Sequence, residues 1–294
     1  MTRSLTAASA ISLLSASGMI AAVPQQSMFR GRVDLVPVYA SVTSGGDLVR
    51  GLSAKDFGLL DNDVPQQIDD LSSERVPIDV TLLIDTSSSV IRSLDVFRAD
   101  VVRIANLLQP EEQVRLLTFD SRVRQITPMQ APTVRLPVDA IRLGDDTSLN
   151  DGVLFALARA RRPDRRHLVF VFTDGRDTSS VLDSGALLSI ASRADALLHI
   201  ALVQSNDRPD GTFAAHLALL SEAAARTGGA LYLPSARDSG LMSAFERAIE
   251  AFRGSYVLYF SPTGVPREGW HTLQVSVERP GNYEVRARQG YFAN

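Results

Sequence analysis

The sequence lacks cysteine entirely and contains only one lysine and one tryptophan among its 294 residues. Without cysteine the chain can form neither disulfides nor thiolate nucleophiles or metal ligands. The four histidines, His167, His199, His216 and His271, are too widely separated to form a zinc-binding motif. These absences exclude disulfide-stabilised scaffolds, thiol catalysis and zinc-finger modules.

No excess of charge of one sign is present either. The 30 basic and 33 acidic residues give a formal net charge of −3. A basic face that binds nucleic acid is therefore not predicted. The hydrophobic share of 45% and the charged share of 21% are ordinary for a globular protein rather than a disordered chain.

The beginning of the chain differs from the rest. Arg3 is followed by the stretch SLTAASAISLLSASGMIAAV, and the next charged residue is Arg30. A basic start, an apolar stretch and small residues near Ala21 and Ala22 are typical of a signal peptide. We expect residues 1–23 to direct export, so that the protein is secreted or periplasmic; a disordered tail is the alternative. The stretch is too rich in serine for a stable membrane span, and no other segment is expected to cross a membrane.

The remaining chain divides into three segments by hydrophobic pattern. Residues 24–75 and 255–294 alternate with a period of two, and each segment is too short to bury a core alone. Residues 76–254 alternate apolar strands with amphipathic helices, which predicts a doubly wound, mostly parallel sheet with helices on both faces. We therefore predict an α/β domain inserted in a small antiparallel β-domain that the two flanks form together.

Polar side chains follow the predicted strands of the α/β segment. Asp85, Ser87 and Ser89, from LLIDTSSSV, and Asp174, from FVFTDGRD, follow strands directly, whereas Thr147, from LGDDTSLNDG, lies in the loop just before a helix. Ligands of open α/β sheets bind outside the carboxyl ends of the strands. The five side chains are therefore expected to meet at one edge of the sheet.

Two carboxylates and three hydroxyls are ligands that a hard divalent cation takes. Because only two of the five are charged, the cation would keep positive charge and an open position for a carboxylate from another molecule. Mg²⁺ is the expected ion, with Mn²⁺ or Ca²⁺ as alternatives. Helix capping and turn formation are the alternative explanation for Asp85, Ser87 and Ser89.

The pattern Asp85-x-Ser87-x-Ser89, Thr147 and Asp174 resembles the metal-ion-dependent adhesion site of von Willebrand factor type A domains, over about residues 76–254. The flanking stretches GLSAKDFGLLDNDVPQQI and YEVRARQGYFAN resemble the bacterial VWFA-related Acidobacterial family. The resemblance implies a secreted, non-catalytic adhesion module whose partner protein presents an Asp or Glu carboxylate to the metal. Asp145-Asp146 departs from the usual glycine before the threonine, and both acids are expected to face solvent.

Two other functions remain open at this point. A scaffold or assembly factor would use its β-domain and keep the metal for structure, whereas a metal-dependent hydrolase would need a general base that no motif here supplies. Four further features are interpreted as structural: Asp120 as a turn residue, His199 and His216 as packing residues, and the group Asp177, Ser179 and Ser180 as caps of the next helix.

Overall fold

A computed structural model of the chain describes residues 35–73, 76–158, 165–203, 211–233 and 241–293. The predicted signal peptide, residues 1–23, lies outside the described residues. No helix in the described ranges combines the length and the apolar character needed to cross a membrane.

The strands of the described residues are numbered in chain order. They are β1 Val36–Ser44, β2 Asp47–Leu48, β3 Phe57–Asp61, β4 Val64–Pro65, β5 Asp70–Ser72, β6 Ile78–Asp85, β7 Gln113–Phe119, β8 Val123–Gln125, β9 Arg166–Thr173, β10 Ala196–Leu202, β11 Ala230–Tyr232, β12 Tyr256–Phe260, β13 Gly269–Val277, β14 Glu284–Ala287 and β15 Gly290–Ala293.

The α-helices of the same ranges are α1 Leu94–Leu107, α2 Leu149–Leu157, α3 Ser184–Arg193, α4 Gly211–Thr227 and α5 Leu241–Arg253. Short 3₁₀ helices cover Ala54–Asp56, Ser88–Ser93 and Val138–Ala140.

The larger sheet has the order β11-β10-β9-β6-β7-β8, in which only β8 runs antiparallel to its neighbour. Every residue of β6 and of β9 is buried, because helices cover both faces of the sheet. One face packs on α1 and α5, and the other packs on α2, α3 and α4. The prediction of a doubly wound, mostly parallel sheet is confirmed.

The two flanks of the chain build antiparallel sheets together. One has the order β14-β1-β12-β5 with β2 beside β1, and the other has the order β15-β13-β3-β4. Both sheets contribute to a single hydrophobic core that contains Val38, Leu59, Leu258 and Tyr291. The predicted insertion of the α/β fold between two β-forming flanks is confirmed; the arrangement as two packed sheets, and strand β15, were not predicted. The residue limits of the three segments remain predictions.

Arg166 joins the two parts of the fold. Its guanidinium lies 4.3 Å from the ring centroid of Tyr39 in β1 and 3.8 Å from that of Phe252 in α5. It also donates to the carbonyl of Phe252 at 2.9 Å and to the hydroxyl of Ser255 at 2.7 Å. Burial lowers the pKa of Arg166 to about 10. Because Arg166 is the first residue of β9, this junction lies at the amino end of the strand, opposite the edge where the candidate site is expected.

Candidate metal centre

Two buried carboxylates meet at the carboxyl edge of the parallel sheet. Asp85 is the last residue of β6, and Asp174 directly follows β9, which pairs with β6. Their exposed fractions are 0% and 1%. The register of the two strands therefore brings the two carboxylates of the predicted set to neighbouring positions.

The Asp85 loop is an internally hydrogen-bonded unit. The backbone N–H and the hydroxyl of Ser87 both donate to Oδ1 of Asp85, at 2.9 and 2.6 Å. The hydroxyl of Ser87 also lies 3.0 Å from that of Ser89. Ser87 occupies the N-cap position of the following 3₁₀ helix, yet its side chain makes no capping bond. Helix capping thus fails to explain Ser87, whose hydroxyl is directed to the carboxylate.

The electrostatics of Asp85 reflect this enclosure. Burial raises the pKa of Asp85 to about 6, hydrogen bonds from Ser87 and Thr173 oppose that rise, and the charge of Asp174 adds to it. A buried carboxylate beside a second one is costly to ionise unless a cation compensates it. The local environment therefore favours the arrival of positive charge.

Asp174 has one satisfied and one unsatisfied oxygen. Its Oδ1 accepts the backbone N–H of Arg176 at 3.1 Å. Its Oδ2 is buried and has no hydrogen-bond partner, although the Nε of Arg176 lies 4.0 Å away. Buried carboxylate oxygens are rarely left in this state. An oxygen of this kind fits a metal ligand.

The backbone around Thr147 is held against both carboxylate loops. On one side, Gly144 donates to the carbonyl of Thr86 at 2.8 Å, and Ser88 donates to the carbonyl of Asp145 at 3.2 Å. On the other side, the carbonyl of Thr147 accepts the N–H groups of Thr178 and Ser179, at 2.8 and 3.0 Å. Thr147 itself is 3% exposed. The structure thus places the Thr147 segment between the segments that carry Asp85 and Asp174.

The remaining acids of the region are not part of this set. Asp145 and Asp146 are exposed, as expected. Asp120 is buried, and its carbonyl accepts the N–H and the hydroxyl of Ser148 at 2.8 and 2.7 Å. Its carboxylate bonds to the backbone N–H of Arg122 and to the side chain of Arg124. Asp120 therefore supports the turn beside Thr147, which agrees with its interpretation as a structural residue.

One interpretation from the sequence is wrong. The group at 177–180 was expected to cap the next helix, but α3 is capped by Asp183, which accepts the N–H of Ala186 at 2.8 Å. Asp177 and Ser180 instead accept the N–H groups of Asn150 and Asp151 in the first turn of α2, at 2.9 and 3.2 Å. The reason is tertiary: α2 begins beside this loop, whereas α3 begins beyond it.

Two residues that contact the candidate site were not predicted from the sequence to do so. The hydroxyl of Thr173 donates to Oδ2 of Asp85 at 2.7 Å, and His216 contacts the carbonyl of Gly175 at 2.9 Å. Thr173 follows the alternation of a buried strand, and His216 lies on a helix remote in sequence. Neither position carries a local signal of its own.

As a donor set, the side chains suit a hard divalent cation better than a soft one. They are carboxylate and hydroxyl oxygens, with no sulfur and no imidazole among them. Within the described residues, no cluster of three or more His, Cys, Asp and Glu side chains is placed to hold a metal. A metal bound here would be coordinated by two carboxylates, and neutral hydroxyls would have to supply its other side-chain ligands.

Comparison with known proteins identifies the fold. Residues 79–209 match the model of the von Willebrand factor type A domain family. A mussel byssus protein, proximal thread matrix protein 1 with a zinc-occupied MIDAS motif, is 14% identical with a TM-score of 0.50; the match covers 65% of this chain and 49% of that one.

Two further solved structures are similar. The ArnB paralog VWA2 of Sulfolobus acidocaldarius is 13% identical with a TM-score of 0.48, over 86% of this chain and 75% of that one. An aerotolerance-related membrane protein of Bacteroides fragilis is 15% identical with a TM-score of 0.46, over 59% of this chain and 98% of that one. No curated protein sequence matches the chain. Residues 79–209 of the chain thus match the von Willebrand factor type A domain family, and the sheet with helices on both faces agrees with that match.

Proposed function

We propose that this protein is a non-catalytic, adhesion-type interaction module that binds a divalent cation. The cation would be held by Asp85, Ser87, Ser89, Thr147 and Asp174, and a partner protein would add an Asp or Glu carboxylate. The observation that carries the proposal is the pair of buried carboxylates on adjacent strands, one of which has an oxygen without a hydrogen-bond partner.

Charge balance supports the second half of the proposal. Two carboxylates neutralise a divalent cation formally, but the hydroxyls add no charge, and Arg176 places a further positive charge beside Asp174. The cation, its two carboxylates and Arg176 together would then carry net positive charge at an open coordination position, which the exposed Asp145 and Asp146 beside Thr147 would partly offset. A carboxylate from outside is the simplest ligand for such a position.

The family supports the metal as well. Von Willebrand factor type A domains often bind a divalent metal at this motif, and the mussel protein of the same fold has zinc in its own. For this chain we favour Mg²⁺, because all the side-chain ligands are oxygens and two of them are carboxylates. Mn²⁺ and Ca²⁺ are the alternatives that the same ligands admit.

Export remains part of the proposal. The apolar stretch at residues 4–23 is the sequence feature behind it. A metal site whose coordination is completed by a carboxylate from another protein is suited to a protein that is periplasmic, secreted or exposed on the cell surface.

A hydrolase is less well supported than an interaction module. Hydrolysis would need a general base beside the metal. His216 is near the Asp174 turn, but its two ring nitrogens lie 2.9 Å from the Gly175 carbonyl and 3.3 Å from Oδ1 of Asn150. Both nitrogens are thus occupied by protein contacts. A scaffold that keeps the metal only for structure is distinguished by testing whether a carboxylate reaches the ion.

Calorimetric titration of the purified, chelator-treated protein with Mg²⁺, Mn²⁺ and Ca²⁺ tests the metal site. We expect saturable binding by the wild type and its loss in Asp85→Ala. Asp95→Ala is the control, because Asp95 is 94% exposed on α1. Wild-type protein that takes up none of the three ions would refute the proposal.

The partner carboxylate is tested on the Mn²⁺-loaded protein by water-proton relaxation. The blocked peptide acetyl-Gly-Asp-Gly-amide should displace water from the ion and lower the relaxation enhancement, whereas acetyl-Gly-Asn-Gly-amide, which has no carboxylate, should leave it unchanged. Equal effects of the two peptides would favour the structural-metal alternative.

A further inference from the structure

The turn that carries Asp174 is packed against the first two turns of α4. Gly175 has a left-handed backbone with φ +84°, and a Cβ there would lie 3.0 Å from Cδ2 of Leu217. The guanidinium of Arg176 lies 5.6 Å from the ring centroid of Phe213. Helix α4 thus packs directly against this turn.

His216 of α4 makes polar contacts with this turn and with the start of α2. Its Nδ1 lies 2.9 Å from the carbonyl oxygen of Gly175, and its Nε2 lies 3.3 Å from Oδ1 of Asn150. Asn150 is 6% exposed in the first turn of α2, and its backbone N–H donates to Oδ2 of Asp177 at 2.9 Å. One imidazole therefore connects three elements: the loop after β9, the start of α2 and the body of α4.

The two segments that His216 bridges carry two members of the proposed ligand set. Asp174 directly precedes Gly175, and Thr147 lies three positions before Asn150. The carbonyl of Thr147 is bonded in turn to the N–H groups of Thr178 and Ser179 in the Asp174 loop. The Asp174 and Thr147 segments are thus joined by these backbone bonds and, in addition, by the two contacts of His216.

We propose that His216 is a positioning residue for the metal site, which holds the segments of Asp174 and Thr147 at the separation that a small cation requires. This inference rests on the proposed function. Residues that orient metal ligands from behind contribute about 10–100-fold to metal affinity. A half-buried histidine on a helix remote in sequence would then set the strength of metal binding without touching the metal.

The test compares dissociation constants for Mn²⁺ with the melting temperature of the metal-free protein. His216→Ala removes both nitrogens, and His216→Gln retains an N–H donor for the Gly175 carbonyl. His216→Leu also lacks both nitrogens but keeps the bulk, and it replaces the alanine variant if that variant does not fold. We expect about a 10-fold or greater loss of affinity in the alanine or leucine variant and a smaller loss in the glutamine variant.

Arg226→Ala is the matched control. Arg226 lies on the same helix about 15 Å further along, where it bonds to Glu222 and to the hydroxyl of Ser192. We expect this variant to lower the melting temperature and leave the affinity for Mn²⁺ unchanged. An equal loss of affinity in the His216 and Arg226 variants would overturn the inference, because it would indicate general destabilisation.

Amide hydrogen exchange of the metal-free protein gives a second readout. Residues 175–178 should exchange faster in His216→Ala or His216→Leu than in the wild type, whereas Arg226→Ala should not change them. If the wild type binds Mn²⁺ and neither affinity nor exchange responds to His216, this inference fails while the proposed function stands. If the wild type binds no metal, the proposed function fails and this inference fails with it.

Discussion

The hydroxyl of Thr173, the last residue of β9, donates to Oδ2 of Asp85, the last residue of β6, at 2.7 Å. The same oxygen of Thr173 accepts the backbone N–H of Gly175 at 3.0 Å. Thr173 is fully buried. One hydroxyl therefore links the carboxylate of one strand to the turn that carries the second carboxylate.

Thr173→Val should weaken metal binding. Valine keeps the shape of threonine but cannot donate to Asp85, so the ionised form of this buried carboxylate loses a stabilising contact. We expect about a 10-fold rise in the dissociation constant for Mn²⁺, measured by calorimetry. Thr173→Ser retains the hydroxyl and should bind like the wild type. Equal affinities of the valine and serine variants would contradict this role.

Asp85→Asn should stabilise the metal-free protein at neutral pH. Burial raises the pKa of Asp85 from 3.8 to about 6, so the folded state binds this proton more tightly than the unfolded state does. The protonated carboxyl of Asp85 therefore contributes to the stability of the folded state. This contribution is full below about pH 4 and is lost as the pH rises through 6. The change corresponds to a cost on the order of 3 kcal/mol, which asparagine avoids.

The measurement for Asp85→Asn is the difference in melting temperature between variant and wild type, taken in chelator at pH 4 and pH 8. The melting temperature of the variant, relative to that of the wild type, should rise between pH 4 and pH 8. Saturating Mg²⁺ should make the wild type the more stable of the two, because only the wild type binds the ion. A difference that is independent of pH would show that the ionisation of Asp85 is not costly.

Arg176→Gln should strengthen metal binding. The Nε of Arg176 lies 4.0 Å from Oδ2 of Asp174, so the guanidinium and a cation would compete for the same carboxylate. Its removal should raise the affinity for Mn²⁺ by about 3–10-fold, a range that allows for solvent screening. Arg253→Gln is the control, since Arg253 has a similar exposure of 25% and pairs with Glu112. Weaker binding by Arg176→Gln would indicate that the arginine organises the turn.

Gly144→Ala should disturb the Thr147 segment. A Cβ at Gly144 would overlap the carboxylate of Asp120, which is fixed by its bonds to Arg122 and Arg124. We expect a loss of ~1–3 kcal/mol in the free energy of unfolding, measured by urea denaturation. Gly211→Ala is the control, because nothing lies within 4 Å of its Cβ position. Equal free energies of unfolding for the two variants would show that the loop accommodates the added methyl group without loss of stability.

Much of the fold follows from local pattern. The continuous apolar runs that became β6 and β9 predict strands covered on both faces, and the spacing of Leu94, Phe97, Val101 and Ile104 predicts α1. Strand β15 was missed because four residues with one aromatic pair give little periodicity. The pairing of the flanks into two sheets could not be predicted, since it depends on contacts between residues some 200 positions apart.

For the candidate site, the sequence determined the types and order of the predicted ligands and the positions of Asp85 and Asp174 at strand ends, since parallel topology places such residues at one edge. The tertiary structure alone decided what surrounds them. It directed the hydroxyl of Thr173 to Asp85, brought His216 to the Gly175 carbonyl and turned Asp177 to α2 instead of α3. These contacts join segments from different strands and helices, and their geometry arises only when the sheet and its covering helices have packed.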